Sequence, residues 1–155
     1  MQHTSLVTSG SFSLVRCGAD GLPLTPIADV PDAIKATYAI NADLYGRVGF
    51  FEPWVSYVAV DSGHAVGGGA FVGPPHDNVV EIGYFTLSDL QGRGYATRTA
   101  GELVAIARRA IPDIVIKALT LPEENASTKI LERLGFRKFG NAHDPDAGDV
   151  WEWRT

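Results

Sequence analysis

Cysteine is almost missing from this chain of 155 residues: Cys17 is the only one. An internal disulfide is therefore excluded, and so is a zinc site built on cysteines, which fits a reducing compartment. Met1 to Val15 show no cationic start followed by an apolar run, and no apolar stretch nears the roughly 20 residues of a membrane-spanning helix. These absences predict a soluble, cytoplasmic protein with no membrane partner. Cations are also scarce. Lys and Arg number 13 against 18 Asp and Glu, a net charge of -5, and no basic stripe is present, which argues against nucleic acid as a partner. His3, His64, His76 and His143 fall in apparent loops or the terminus without ligand spacing, and read as surface residues. Asp144, Asp146 and Asp149 lack the spacing and the bidentate Glu of a calcium loop, so no metal is expected.

What is present is the composition of an ordinary globular protein, 45% hydrophobic and 20% charged, at a length that fits one domain over residues 1–155. No repeat or linker is visible. Phe12 to Arg16 reads as a strand, and a helix starts near Asp29, Pro31 and Asp32, carrying Ile34 and Tyr38 at helical spacing. Trp54 to Val60 and Ala65 to Val72 flank the hairpin turn Asp61-Ser62-Gly63-His64, and Val79 to Leu87 forms a third strand. Tyr95 to Ile111 reads as a helix stopped by Pro112. Ile114 to Leu121 is a continuous apolar strand, of the kind buried on both faces. Asn125 to Leu134 is a short helix ended by Gly135, and Val150 to Arg154 a last strand. This order predicts an α/β protein of the α+β kind, with a mixed sheet flanked by helices and no doubly wound repeat.

The most informative segment is Thr86-Leu87-Ser88-Asp89-Leu90-Gln91-Gly92-Arg93-Gly94-Tyr95-Ala96-Thr97. A strand runs into a glycine turn and a helix opens at once. The first N–H groups of a helix have no internal partner and sit at the positive end of its dipole. Glycines let those groups approach a bulky anion, Arg93 adds a cation, and Ala96 leaves room. That reading is a diphosphate site; the plain alternative is a tight turn in which glycine supplies only backbone freedom. Thr97 breaks a dinucleotide fingerprint, and no P-loop exists. Gly67-Gly68-Gly69, inside a strand, reads as a bulge or close packing.

Gln91-x-x-Gly94-x-Ala96 resembles the Gln/Arg-x-x-Gly-x-Gly/Ala signature of GNAT N-acetyltransferases. Leu121 to Phe136, with Asn125-Ala126-Ser127 and Leu134-Gly135-Phe136, resembles the second half of that family, nearest its RimJ/RimL-like branch. The resemblance covers about residues 79–136. It implies a GNAT fold, with a mostly antiparallel sheet splayed at the cofactor site, and acetyl-CoA as donor cosubstrate. It implies main-chain contacts from Phe85 and Leu87 to the pantetheine arm. Gln91, Gly92, Arg93, Gly94, Tyr95, Ala96 and Thr97 would grip the diphosphate, and Asn125 would face the thioester. Asn125 also reads as a plain helix cap. The tyrosine that many members use as acid is replaced: Leu131 stands there, and Ser127 matches a serine implied to stabilise the thiolate. The resemblance implies a primary amine as acceptor, a peptide N-terminal α-amine or a small-molecule amine, and is compatible with a homodimer.

Transfer to an amine needs a neutral nucleophile, a polarised carbonyl and positioning. An α-amine with a pKa near 8 is partly neutral in the cytosol, whereas a lysine near 10.4 is not. Main-chain N–H groups at Phe85 to Leu87 are expected to polarise the carbonyl. Glu81, sharing a strand face with Gly83 and Phe85, is the candidate base, directly or through water; it reads equally as a solvent-facing strand-end glutamate. Glu52 is a weaker rival. Tyr38, Tyr45, Phe50, Phe51 and Trp54 are candidates to line the acceptor pocket or to join the core, while Trp151 and Trp153 read as core. Against an enzyme stands a non-catalytic acyl-CoA-binding sensor of the same fold.

Overall fold

The computed structural model describes residues 11–155; His3 and the chain start lie outside them. The elements are β1 (Phe12–Arg16), α1 (Asp32–Val48), β2 (Ser56–Asp61), β3 (His64–Phe71), β4 (Val79–Thr86), a 3-10 turn (Ser88–Leu90), α2 (Tyr95–Ala110), β5 (Val115–Thr120), α3 (Ala126–Arg133), β6 (Arg137–Asp144) and β7 (Gly148–Arg154). One seven-stranded sheet runs β1-β2-β3-β4-β5-β7-β6. Only β4 and β5 are parallel; every other neighbouring pair is antiparallel. The expected mixed sheet with flanking helices is therefore present. Among the described residues no helix is long and apolar enough to cross a membrane.

Local chemistry explains the elements. Ser62 and Gly63 both take positive φ, 53° and 84°, which suits the twist of a two-residue hairpin. Helix α2 buries Thr99, Ala100, Leu103 and Ala107, a three-and-four spacing that lays one stripe on the sheet. Gly69 lets that helix come close, since a Cβ there would meet Leu103 Cδ1 at 2.8 Å and Thr99 Cγ2 at 2.9 Å. Trp153 is buried and its Nε1 donates to Thr120 Oγ1 at 2.9 Å, tying β7 to β5.

Two expectations are corrected. Arg137 to Asp144 forms a strand that the sequence pattern does not announce: it is polar, interrupted by Gly140, and held at the sheet edge by β7 alone. Strand β5 is not buried on both faces. Ile116, Ala118 and Thr120 face the core, while Val115, Lys117 and Leu119 are half-exposed.

Candidate active site

The site begins where two parallel strands part. Strands β4 and β5 pair at Val79–Val115, Val80–Ile116 and Glu81–Lys117, and pairing stops there. Beyond Glu81 the ends of β4 and β5 diverge into a gap. Which main-chain groups face that gap follows from the register with β3. Val72 N–H donates to Glu81 O, and Leu87 N–H donates to Val66 O, both at 2.9 Å. By alternation Glu81, Gly83, Phe85 and Leu87 direct their main-chain groups at β3, and Tyr84 and Thr86 direct theirs at the gap. The expectation for Phe85 and Leu87 is thus off by one residue. Leu87 is spent twice, because its carbonyl also accepts from Leu90 N–H. Thr86 Oγ1 is buried without a hydrogen-bond partner among the described residues.

The gap opens into a cavity of about 530 Å³, bordered by Tyr84, Phe85 and Thr86, by the glycine turn, and by one face of α3. Gly92 and Gly94 take φ of 82° and 85°, and nothing lies within 4 Å of where their Cβ atoms would be. Both left-handed residues turn the chain so that the helix start meets open space. Gly94 is the N-cap and offers no side-chain cap; the first intrahelical bond runs from Arg98 N–H to Gly94 O. The amides of Tyr95, Ala96 and Thr97 consequently have no acceptor inside the helix. Gln91, Gly92, Gly94, Tyr95, Ala96 and Thr97 all border the cavity; Arg93 does not. The Tyr95 side chain is an anchor, its hydroxyl donating to Asp61 Oδ2 and its ring stacked 6.2 Å from Phe12. That bond holds the Asp61 carboxyl below its usual range, with Ser11 adding to the effect.

Helix α3 closes the other wall. Asn125 forms a capping box with Thr128: its Oδ1 accepts from Thr128 N–H at 3.1 Å, and Thr128 Oγ1 accepts from Asn125 N–H at 3.0 Å. Asn125 does not border the cavity, and its side-chain oxygen serves the cap. Ser127 does border it, along with Lys129 and Arg133, two cations one turn apart. Neither cation is singled out by motif; the i,i+4 spacing was the available signal. Leu131 is fully buried and faces the core.

A second hollow, about 220 Å³, lies between α1 and β2 to β4 and shares Tyr84 and Phe85 with the first. None of Tyr38, Tyr45, Phe50, Phe51 and Trp54 borders it; Tyr57, Tyr84 and Phe85 are its aromatics. Tyr45 and Trp54 belong to the core instead. Desolvation pushes the Tyr84 phenol up to about 12, so it stays protonated at neutral pH. Glu81 borders neither hollow. It faces Lys117 Nζ at 3.9 Å, one strand step from Gly83, which does border the second hollow. Burial pushes the Glu81 carboxyl up; Lys117 opposes this, and Asp144 and Glu152 add to it. Glu52 pairs with Arg16 at 3.4 Å and borders neither hollow. The structure therefore brings Ser127 to the cavity and leaves Glu81 outside both hollows.

The acetyltransferase (GNAT) domain family matches residues 25–137 of this chain. The chain belongs to the GNAT family. An N-acetyltransferase called YjdG, from Bacillus subtilis and uncharacterised, is 32% identical to this GNAT domain over 115 residues, covering 72% of the chain and 66% of the relative, just under two thirds of its length. Among solved structures, a RimL ribosomal L7/L12 α-N-protein acetyltransferase in complex with coenzyme A superposes with a TM-score of 0.69 at 15% identity, over 96% of this chain and 95% of that one. A spermidine N-acetyltransferase chimera from Vibrio cholerae and hSSAT reaches 0.66 at 13% identity, over 94% and 95%. Both likenesses are of fold. An α-N-protein acetyltransferase and a spermidine N-acetyltransferase both fit this backbone, so the fold does not choose the acceptor.

Proposed function

We propose that this protein is an acetyl-CoA-dependent N-acetyltransferase that acts in the cytoplasm on a primary amine, a peptide α-amine as in the RimL-like branch or a small-molecule amine. The observation that carries this is the meeting of three features in one cavity: strand-end amides without a sheet partner, helix amides without an acceptor, and an orphaned Thr86 hydroxyl. Bound acetyl-CoA supplies an activated acyl thioester. The amides of Tyr95, Ala96 and Thr97, with Lys129 and Arg133, hold a diphosphate and its neighbouring charge. The main-chain groups of Tyr84 and Thr86 bind the pantetheine arm and polarise the carbonyl. The amine nitrogen bonds to the acyl carbon as the carbon–sulfur bond breaks; Ser127 donates a hydrogen bond to the departing sulfur, and Glu81 takes the amine proton through a water. Positioning in a ternary complex supplies much of the acceleration.

The test is calorimetry with CoA and acetyl-CoA, followed by thiol release with a panel of amines. Binding and turnover are expected. A folded sample that fails to bind CoA would overturn the reading. One observation favours a second reading, a non-catalytic acyl-CoA sensor: Leu131 is buried where a family acid would stand, and Glu81 lies outside both hollows. Tight acetyl-CoA binding without turnover of any amine would select it.

A further inference from the structure

We infer that the acceptor is an amine whose neighbouring group is compact, apolar and uncharged, and that polycationic amines are rejected. This rests on the acetyltransferase reading above and names the substrate class of the second hollow. No Asp, Glu, Lys, Arg or His borders that hollow among the described residues. Residues 1–10 contain no Asp or Glu either. Its walls are Ile34 and Ile40 of α1 and the Phe85 ring, over a floor of small residues that includes Gly68 and Gly83. A bound polyamine keeps further ammonium groups, and each needs a carboxylate or water once the site closes around it. The hollow offers no carboxylate among the described residues; its polar side chains, Thr37, Asn41, Tyr57 and Tyr84, are all uncharged types.

Acids outside the lining carry cationic partners, Glu52 facing Arg16 at 3.4 Å. Glu81, one strand step below Gly83, faces Lys117 at 3.9 Å, and Asp43 on α1 pairs with Arg47 at 3.2 Å. With no charged side chain in the lining, the net charge of -5 places no carboxylate in the hollow among the described residues. Size points the same way, since about 220 Å³ falls below the roughly 300–1,000 Å³ of pockets for drug-sized ligands. A lining without a carboxylate also favours the neutral form of the amine, because desolvation without a counter-charge disfavours an ammonium ion. The hollow thus helps to prepare the nucleophile.

The experiment compares kcat/KM, by thiol release with acetyl-CoA, for alaninamide, lysinamide, spermidine and two short peptides beginning with Ala or Lys. Alaninamide or the Ala peptide is expected to exceed its Lys counterpart and spermidine by about tenfold or more. Whichever Ala arm is faster tells a free amine from a peptide N-terminus. Gly83→Val is expected to cut turnover of the Ala acceptors while calorimetry shows unchanged acetyl-CoA binding, because no atom lies within 4 Å of the added Cβ position. Ile40 is 65% exposed, so Ile40→Glu should fold and should move the spermidine-to-alaninamide ratio upward. Equal or better turnover of spermidine by the unaltered protein would overturn the inference and leave the acetyltransferase reading standing. Acetyl-CoA binding with no turnover of any amine would overturn both.

Discussion

The two hollows that meet at Tyr84 and Phe85 are built from opposite materials. The larger is bordered by free amides, an orphaned hydroxyl and two cations; the smaller carries no charged side chain. One strand makes both, through its two alternations. Main-chain groups of β4 point along the sheet into the gap, while side chains point across it, so a polar cleft and an apolar pocket arise from the same residues. Binding a highly charged donor and excluding charge from the acceptor are therefore compatible within a few residues.

The sharpest way to break this contrast is to put a charge into the donor side. Ala96→Asp places a carboxylate at the first turn of α2, where it complements the helix dipole by about 0.3–1 kcal/mol yet competes with a diphosphate. We expect the melting temperature to hold or rise while CoA affinity in calorimetry falls about a hundredfold, near 3 kcal/mol. Loss of both would mean that the turn supports the fold and not the ligand.

Glu81 lies outside both hollows, two residues from Gly83 of the smaller one. A base must be ionised, and its folded pKa is raised, so activity should fall as pH drops through that raised value. Glu81→Gln should remove this acidic limb and lower kcat by about tenfold to a hundredfold. The sign for stability is opposite. A raised folded pKa means stability is fully present below the unfolded value and is lost as pH rises through the folded one. Gln, resembling the neutral acid, should therefore not lower the melting temperature at neutral pH. Full activity of Glu81→Gln across pH 6–9 would remove Glu81 from the mechanism.

Asn125 separates scaffold from site. Asn125→Ala removes the capping box and should cost about 0.5–2 kcal/mol. That corresponds to a few degrees in melting temperature at about 2–4 °C per kcal/mol. CoA affinity should change little; a large loss with an unchanged melting temperature would restore Asn125 to the binding site. The smallest effect is expected at the anchor of α2. Asp61 is held below its usual pKa by Tyr95, so its contribution is present above the unfolded value and lost as pH falls through the folded one. Tyr95→Phe should flatten that acidic slope in thermal melts at graded pH.

Much of this was legible residue by residue. The Ser62-Gly63 hairpin, the glycine turn before Tyr95 and the Asn125 start of α3 announce themselves because their chemistry is local. Three things were not. Strand β6 carries no alternation to read, since its order comes from β7 and not from burial. The facing of Tyr84 and Thr86 depends on β4 pairing with β3 so that Glu81 meets Val72, a relation between strands that one segment does not contain. The neutrality of the second hollow needs α1, β2, β3 and β4 together, and no single segment contains it.

The N–H groups that Tyr84 and Thr86 turn toward the gap belong to no particular side chain. Replacing either residue can reshape the opening, but only proline deletes the donor. A ligand grip made this way is indifferent to spelling: it persists for as long as β3 and β4 stay in step, and a slip of one position would abolish it without altering a single letter of the motif.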